Sequence, residues 1–109
     1  MEDVRVALLG CGTVGTQVAR LLDEQAADLT ARAGAWLYLV GIAVRDAEAA
    51  RDPVIDRTLL TTDASGLIAS ADIVIELIGG IEPARTYILE AFEHGASVVT
   101  GNKALLAAH

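Results

Sequence analysis

Three glycines near the N-terminus form the pattern with the clearest chemical meaning in this chain. Gly10, Gly12 and Gly15 have the spacing G-x-G-x-x-G, directly after the apolar run of residues 4–9 and before a segment with helical periodicity. A strand, a glycine loop and a helix in this order can bind the pyrophosphate of a dinucleotide. The first glycine allows a tight turn, the second lets phosphate approach the backbone, and the third lets the helix pack closely on the sheet. Unpaired amides at the start of that helix attract the phosphate charge.

Arg45 and Asp46 follow the second predicted strand, where the adenosine ribose of a bound dinucleotide lies. An acidic residue there accepts hydrogen bonds from the ribose hydroxyls and favours NAD, whereas an arginine pairs with a 2′-phosphate and favours NADP. Because the arginine comes first, we predict NADP as the slightly favoured cofactor and NAD as the alternative. The non-functional interpretation of Arg45 is a solvated loop residue.

Two further strand ends carry residues suited to a ligand. Gly79 and Gly80 follow an apolar strand, where they can bring backbone close to a ligand or form only a turn. Glu76 lies inside that strand, where a carboxylate is unfavourable unless it is paired. Lys103 follows the fifth strand at the start of a predicted helix, where the helix dipole disfavours a cation. Lys103 is therefore predicted to face the nicotinamide or the substrate, the alternative being a solvent-exposed lysine.

The elements that would position these residues alternate between strands and helices. Strands are predicted over residues 4–9, 37–44, 59–61, 73–78 and 97–100. Helices are predicted from Thr13 to just before Gly34, from the cap Asp63 to Ala69, and from Pro83 to Gly95, with a loop over residues 47–57. The apolar positions assigned to buried helix faces are Val14, Val18, Leu21, Leu22 and Leu29 in the first helix and Ile88, Leu89 and Phe92 in the last.

This alternation predicts a Rossmann-like α/β fold, a doubly wound parallel sheet between two helical layers with strand order 3-2-1-4-5. Ligands bind such sheets beyond the carboxyl ends of the strands. The loops expected to meet in one crevice are residues 10–15, 45–46, 78–81 and 101–103. The predicted cofactor-binding residues are Gly10, Gly12, Thr13, Val14, Gly15, Arg45, Ile78, Gly79, Gly80, Thr100, Asn102 and Lys103.

Composition excludes several functions. The 109 residues carry a net charge of −7, whereas nucleic-acid binding calls for a basic face, so no nucleic-acid role is expected. Backbone amides and one local cation can still hold a dinucleotide. Cys11 is the single cysteine and is expected to be structural, so no intrachain disulfide forms and a reducing cytoplasm is expected. No apolar run is long enough for a membrane helix. His94 and His109 have no second metal ligand at a useful spacing, so no metal site is predicted.

Four segments together resemble homoserine dehydrogenase. They are VALLGCGTVG at residues 6–15, GIAVRD at 41–46, ELIGG at 76–80 and VVTGNKALLA at 98–107, and the resemblance covers essentially the whole chain. Gly101 is a departure, since the family more often has alanine there. Members of this family interconvert L-homoserine and L-aspartate 4-semialdehyde by hydride transfer with NAD or NADP. The reaction belongs to the biosynthesis of threonine, methionine and isoleucine.

The resemblance implies roles for individual residues. Thr13 and Val14 would contact the cofactor, Arg45 would meet its adenosine end, and Lys103, the candidate catalytic residue, would lie near the nicotinamide and the substrate. The family's substrate-binding acids and principal catalytic lysine lie in a later domain. Residues 1–109 are therefore expected to be a truncated NAD(P)-binding domain with little turnover of its own, and the full-length protein is expected to be a homo-oligomer.

Two other functions fit the same predicted fold. One is an aspartate-dehydrogenase-like oxidoreductase, which the NKAL sequence at residues 102–105 makes less favourable than the first interpretation. The other is a regulatory domain that senses NAD(P) without catalysis and therefore needs no lysine at position 103.

Overall fold

Five parallel strands form one sheet, with the strand that leads into the glycine loop at its centre. The computed structural model describes residues 2–101. The strands are β1 (Glu2–Leu9), β2 (Ala35–Ala43), β3 (Leu60–Thr61), β4 (Ile73–Glu76) and β5 (Ser97–Thr100). The helices are α1 (Thr13–Glu24), α2 (Ala26–Ala33), α3 (Ala64–Ala69) and α4 (Ala84–Glu93), and a short 3-10 helix covers Arg57–Leu59.

The strand order is β3-β2-β1-β4-β5 and every neighbouring pair is parallel, so the predicted Rossmann-like topology is confirmed. Leu9, the last residue of β1, pairs with Ala43 of β2 and with Glu76 of β4. Glu76 in turn pairs with Thr100 of β5. The carboxyl ends of four strands therefore lie side by side at one edge of the sheet.

Alternate residues of β1 divide the core into two layers. Ala7 and Leu9 belong to a cluster that includes residues of α3 and α4, whereas Leu8 packs with Ala19 of α1 and Ile42 of β2. Helices thus cover both faces of the sheet, as the fold class requires. None of the helices within residues 2–101 is long and apolar enough to cross a membrane.

The first predicted helix is two helices in the structure. α1 ends at Glu24, and Gln25 has the non-helical dihedrals φ −108° and ψ 19° before α2 begins. α1 packs on the sheet through its small residues, Gly15 and Ala19 being its buried positions. Val14 and Leu21 are more than half exposed, so their predicted burial is wrong.

Two other segments are also partly exposed. β3 pairs only with Ile42 and Ala43, so the first half of β2 forms the edge of the sheet and Tyr38 is 48% exposed. α4 packs through Ala84 and Ala91, which have helical spacing with the partly buried Tyr87 and Ile88. The predicted burial of Leu89 and Phe92 is therefore wrong, and Phe92 is 60% exposed.

The predicted helix ends agree with the structure at three places. The Asp63 side chain accepts a hydrogen bond from the Gly66 amide at 3.0 Å and caps α3. Gly34 follows α2 with φ +68°, and Gly95 follows α4 with φ +78°. Both glycines have the left-handed conformation that commonly ends a helix.

A charged contact joins β1 to the start of β4 at the edge of the sheet opposite the glycine loop. The Asp72 carboxylate accepts hydrogen bonds from the Arg5 backbone amide at 2.8 Å and from the Arg5 guanidinium at 3.3 Å. The side-chain hydrogen bond from Arg5, helped by the backbone hydrogen bond and the positive charge, holds the pKa of Asp72 below its ordinary value. The ionised form of Asp72 therefore stabilises the fold.

We expect Asp72→Asn to lower the melting temperature at neutral pH. Because the pKa of Asp72 is lower in the folded than in the unfolded chain, this stabilisation is complete above the unfolded value of about 3.9. It is lost as the pH falls through the lower folded value, so the melting curves of the two proteins should converge in acid. Thermal unfolding between neutral and strongly acidic pH measures this. Asp28→Asn, in an exposed ion pair of α2, is the control with little expected effect. A melting-temperature difference that does not change with pH would contradict the assignment.

Candidate functional site

A crevice of about 530 Å³ opens at the carboxyl ends of β1, β2 and β4. This size is within the range of small-molecule sites, roughly 300–1,000 Å³. The residues that line it are Gly10, Cys11, Gly12, Ala43, Val44, Arg45, Asp46, Arg51, Thr62, Ala64, Leu77, Ile78, Gly79, Pro83 and Tyr87. The glycine loop and the loops after β2 and β4 thus meet in one place.

Close backbone contacts fix the shape of the glycine loop. Gly10 has φ +94°, and its amide donates to the Ala43 carbonyl oxygen at 2.8 Å, which joins the loop to the end of β2. A Cβ on Gly10 would lie 3.3 Å from the carbonyl of Leu77, and one on Gly15 would lie only 2.7 Å from the carbonyl oxygen of Gly10. A Cβ on Gly12 would have no neighbour within 4 Å. Gly12 therefore presents bare backbone to open space.

The N-terminus of α1 adds an electrostatic feature beside Gly12. Gly12 is the N-cap and offers no side-chain oxygen to the helix, and the first turn contains no acidic residue. The Thr16 amide donates to the Gly12 carbonyl oxygen at 2.9 Å and is the first amide of the helix to reach an intrahelical acceptor. The amides before it carry the positive end of the helix dipole, which suits an anion such as phosphate.

Two arginines lie at the β2 end of the crevice. Arg45 is exposed, and none of the other described residues forms a hydrogen bond or an ion pair with its side chain. Arg51 is half-buried and donates to the carbonyl oxygens of Asp46 at 2.7 Å and Ala49 at 3.0 Å. Those two bonds leave further guanidinium N–H groups for a ligand.

Asp46 and Arg57 organise the loop that holds these arginines. The Asp46 carboxylate accepts a hydrogen bond from the Glu48 amide at 2.9 Å, so one of its oxygens is used in a local turn. The Arg57 guanidinium donates to the Ala47 carbonyl oxygen at 2.8 Å and to that of Ala49 at 3.3 Å. Sequence reasoning missed Arg51 because it assigned no ligand contact to the polar loop, with a possible helical turn, that it predicted over residues 47–57. The one available signal was a second arginine soon after Arg45.

Glu76 explains why β4 ends two residues earlier than predicted. Its carboxylate accepts hydrogen bonds from the Ile78 amide at 2.5 Å and from the Thr100 hydroxyl at 2.6 Å. The strand therefore stops at Glu76 rather than Ile78. The sequence required a partner for this carboxylate, and the structure supplies two hydrogen-bond donors.

The predicted site residues divide into three groups by position. Those that line the crevice are Gly10, Gly12, Arg45, Ile78 and Gly79. Those that do not line it are Thr13, Val14 and Gly15 in the first turn of α1, Gly80 after Gly79, and Thr100 at the end of β5. Asn102 and Lys103, with most of the predicted fourth loop, lie outside the described residues. Crevice residues that sequence reasoning did not select include Arg51, Thr62, Pro83 and Tyr87.

Cys11 lines the crevice with its Sγ atom 3.9 Å from the Thr16 hydroxyl oxygen. It is a free thiol and half-buried. In the part of the chain that the structure describes, no group of three or more His, Cys, Asp or Glu residues is arranged to hold a metal ion.

Comparison with known proteins identifies the family. The family model described as homoserine dehydrogenase, NAD binding domain, matches residues 10–109. The homoserine dehydrogenases of Corynebacterium glutamicum and Mycobacterium tuberculosis are 52% and 51% identical to this chain over 108 residues, covering 97% of it. The chain spans about a quarter of the length of these relatives.

Solved structures agree in fold as well as sequence. S. aureus homoserine dehydrogenase superimposes with a TM-score of 0.90 at 34% identity, covering 100% of this chain and 28% of that one. The enzyme from Thiobacillus denitrificans gives a TM-score of 0.87 at 41% identity, covering 99% of this chain and 25% of that one. With the glycine loop, crevice and strand order described above, these matches show that the chain belongs to the homoserine dehydrogenase family and constitutes its NAD-binding domain.

Proposed function

We propose that this chain binds NADP(H) in the crevice and forms the nucleotide-binding part of an enzyme that interconverts L-homoserine and L-aspartate 4-semialdehyde. The observation that carries the proposal is the open backbone at Gly12 directly beside the uncapped N-terminus of α1. Substrate-binding groups would come from the part of the relatives that this chain does not span. The full-length protein would be a homo-oligomer in the biosynthesis of threonine, methionine and isoleucine.

The glycine loop fits the pyrophosphate of the cofactor. Phosphate oxygens need close donors, and a residue without a Cβ at position 12 lets them reach the first amides of α1. Thr13 and Val14 belong to this first turn and would contact the pyrophosphate through their backbone amides.

The β2 end fits a 2′-phosphate better than a plain ribose. Arg45 and Arg51 bring two guanidinium groups to this end of the crevice, and guanidinium pairs with phosphate in forked geometry. Asp46, the residue that would favour NAD, has one carboxylate oxygen engaged by the Glu48 amide. These contacts support NADP as the preferred cofactor.

The nicotinamide would lie at the other end, beside the loops that follow β4 and β5. Binding of a dinucleotide across the two halves of such a sheet puts the adenosine at the β2 side and the nicotinamide at the β4 side. Ile78, Gly79 and Gly80 would face it with backbone, Thr100 and Asn102 would complete the wall, and Lys103 would be the cation nearest to the substrate. When bound, the cofactor supplies or accepts the hydride.

Calorimetric titration of the chain with NADPH and with NADH tests the proposal directly. We expect saturable binding of both, with NADPH tighter. We also expect the chain alone not to oxidise L-homoserine, whereas the full gene product does so with NADP as cofactor. A folded chain that binds neither cofactor would overturn the proposal.

Gly12→Ala and Gly15→Ala should separate cofactor binding from folding. At Gly12 a methyl group meets nothing in the protein, so the free energy of unfolding should change by less than about 0.5 kcal/mol. The methyl would occupy the space through which phosphate reaches the backbone, so the Kd for NADPH should rise about tenfold or more. At Gly15 the methyl would collide with the Gly10 carbonyl oxygen, which should destabilise the fold by about 1–3 kcal/mol. Unchanged NADPH affinity in Gly12→Ala would contradict the pyrophosphate position.

Arg45→Ala and Arg51→Ala should change cofactor preference. Loss of a hydrogen bond to a charged group weakens the binding free energy by about 1.5–3 kcal/mol. The Kd for NADPH should therefore rise about 10-fold to 100-fold in each variant. The Kd for NADH, which has no 2′-phosphate, should change by less than about threefold. Arg32→Ala is the matched control, because Arg32 pairs with Asp28 on α2 and does not line the crevice. An equal loss of affinity for NADPH and NADH would contradict the assignment of these arginines to the 2′-phosphate.

A further inference from the structure

Glu76 is the single ionisable side chain that is completely buried among residues 3–101. It is the last residue of β4 and does not line the crevice. A carboxylate in this position is expensive to bury, and a well-packed apolar side chain usually stabilises a strand at least as well. Stability alone therefore does not explain a glutamate among the aliphatic residues of β4.

The Glu76 side chain connects two loops at the same end of the sheet. One carboxylate oxygen accepts from the Ile78 amide at 2.5 Å, at the start of the loop that includes Gly79. The other accepts from the Thr100 hydroxyl at 2.6 Å, at the end of β5. The Glu76 carbonyl oxygen also accepts from the Gly101 amide at 3.1 Å, so both the side chain and the main chain of this residue reach the β5 end.

The same segment lies against the glycine loop. The Leu77 amide donates to the Leu9 carbonyl oxygen at 2.9 Å. The Cα of Gly10 lies so close to the Leu77 carbonyl that an added Cβ would be 3.3 Å from its carbon and oxygen. The position of residues 76–78 thus sets the distance between the glycine loop and the wall formed by Ile78 and Gly79.

We propose that Glu76 is a positioning residue for the nicotinamide half of the cofactor. Its carboxylate holds the loop after β4 and the end of β5 in a fixed relation to the glycine loop, so that the backbone of Ile78 and Gly79 faces the crevice. The inference rests on the proposed function, since it presumes a dinucleotide that extends from the β2 end to the β4 end.

Glu76→Leu and Glu76→Gln test the inference by titration with two ligands, NADPH and adenosine 2′,5′-bisphosphate. The second compound has the phosphorylated adenosine end and no nicotinamide. Glu76→Leu removes both acceptors, so NADPH should bind about tenfold more weakly while the adenosine compound binds as in the unaltered chain. In Glu76→Gln the amide oxygen can accept from Ile78 and the amide nitrogen can donate to the Thr100 hydroxyl. The NADPH affinity of Glu76→Gln should therefore be within about threefold of that of the unaltered chain.

Asp72→Asn is the matched control, because Asp72 also receives a backbone amide bond but lies just before β4, at its far end. It should lower stability without changing either affinity. Thr100→Val removes the hydroxyl that donates to the Glu76 carboxylate and is the second variant if Glu76→Leu does not fold. NADPH should bind severalfold more weakly to Thr100→Val, while adenosine 2′,5′-bisphosphate should bind as in the unaltered chain.

Each outcome separates this inference from the proposed function. If the unaltered chain binds neither ligand, the proposed function fails, and the inference about Glu76 fails with it. If the unaltered chain binds NADPH and either Glu76→Leu or Thr100→Val binds it equally well, only the role of Glu76 is overturned. Equal weakening of both ligands in a folded Glu76→Leu would also overturn it, because that pattern indicates a general effect on the fold.

Discussion

The contact between Gly15 and the carbonyl oxygen of Gly10 is the constraint on which the rest of the structure depends. A Cβ at position 15 would lie 2.7 Å from that oxygen, so α1 can follow β1 so closely only because residue 15 has no side chain. In the same turn the Gly10 amide donates a hydrogen bond to the Ala43 carbonyl oxygen, and Gly10 packs against the backbone of Leu77. One tight turn therefore aligns the ends of β1, β2 and β4 and points the N-terminus of α1 into the crevice between them.

A net charge of −7 is compatible with the binding of a dinucleotide because the relevant charges are local. Exposed charges separated by more than about 8 Å are largely screened at physiological ionic strength. The crevice is lined by Arg45 and Arg51 and adjoins the first amides of α1. Asp46, an acidic residue that lines the crevice beside Arg45, has its carboxylate partly engaged by a backbone amide. The overall negative charge therefore does not argue against a dinucleotide.

The topology and the glycine loop could be predicted from the sequence because both depend on short-range patterns. A strand, a glycine loop and a helix follow one another within residues 2–24, and the strand order follows from the right-handed connection of parallel strands. The buried face of α4 could not be predicted in the same way. Two sets of residues in α4 have helical spacing and could form its buried face. The observed face consists of Ala84, Tyr87, Ile88 and Ala91, whereas the predicted face consists of the larger residues Ile88, Leu89 and Phe92. The face with the small residues packs on the sheet because small side chains let the helix approach more closely. Only the contact between helix and sheet decides which of the two faces is buried.

The position of Arg51 in the crevice and the partner of Glu76 could not be predicted from the sequence either, because both depend on tertiary contacts. Arg51 lines the crevice because hydrogen bonds within its own loop hold it there. Its guanidinium bonds to the carbonyl oxygen of Asp46, and that of Arg57 bonds to the carbonyl oxygens of Ala47 and Ala49. Glu76 could be recognised as a carboxylate in need of a partner, but Thr100 is 24 residues away and becomes its neighbour only through the pairing of β4 with β5. A local pattern can show that a group requires a partner, whereas the sheet determines which partner it has.

The two ends of the crevice are consequently built in different ways. At the β2 end the crevice is lined by the arginine side chains of a surface loop, so the proposed cofactor preference would depend on residues that can be substituted while the sheet stays intact. At the β4 end, backbone groups line the crevice, and the buried carboxylate of Glu76 hydrogen-bonds to the Ile78 amide and to the Thr100 hydroxyl. Hydride transfer depends on the position of the nicotinamide to a fraction of an ångström, whereas the adenosine serves only for binding. In the proposed binding mode, the hydrogen-bonded backbone at the β4 end would position the nicotinamide, and the arginine side chains at the β2 end would bind the phosphorylated adenosine.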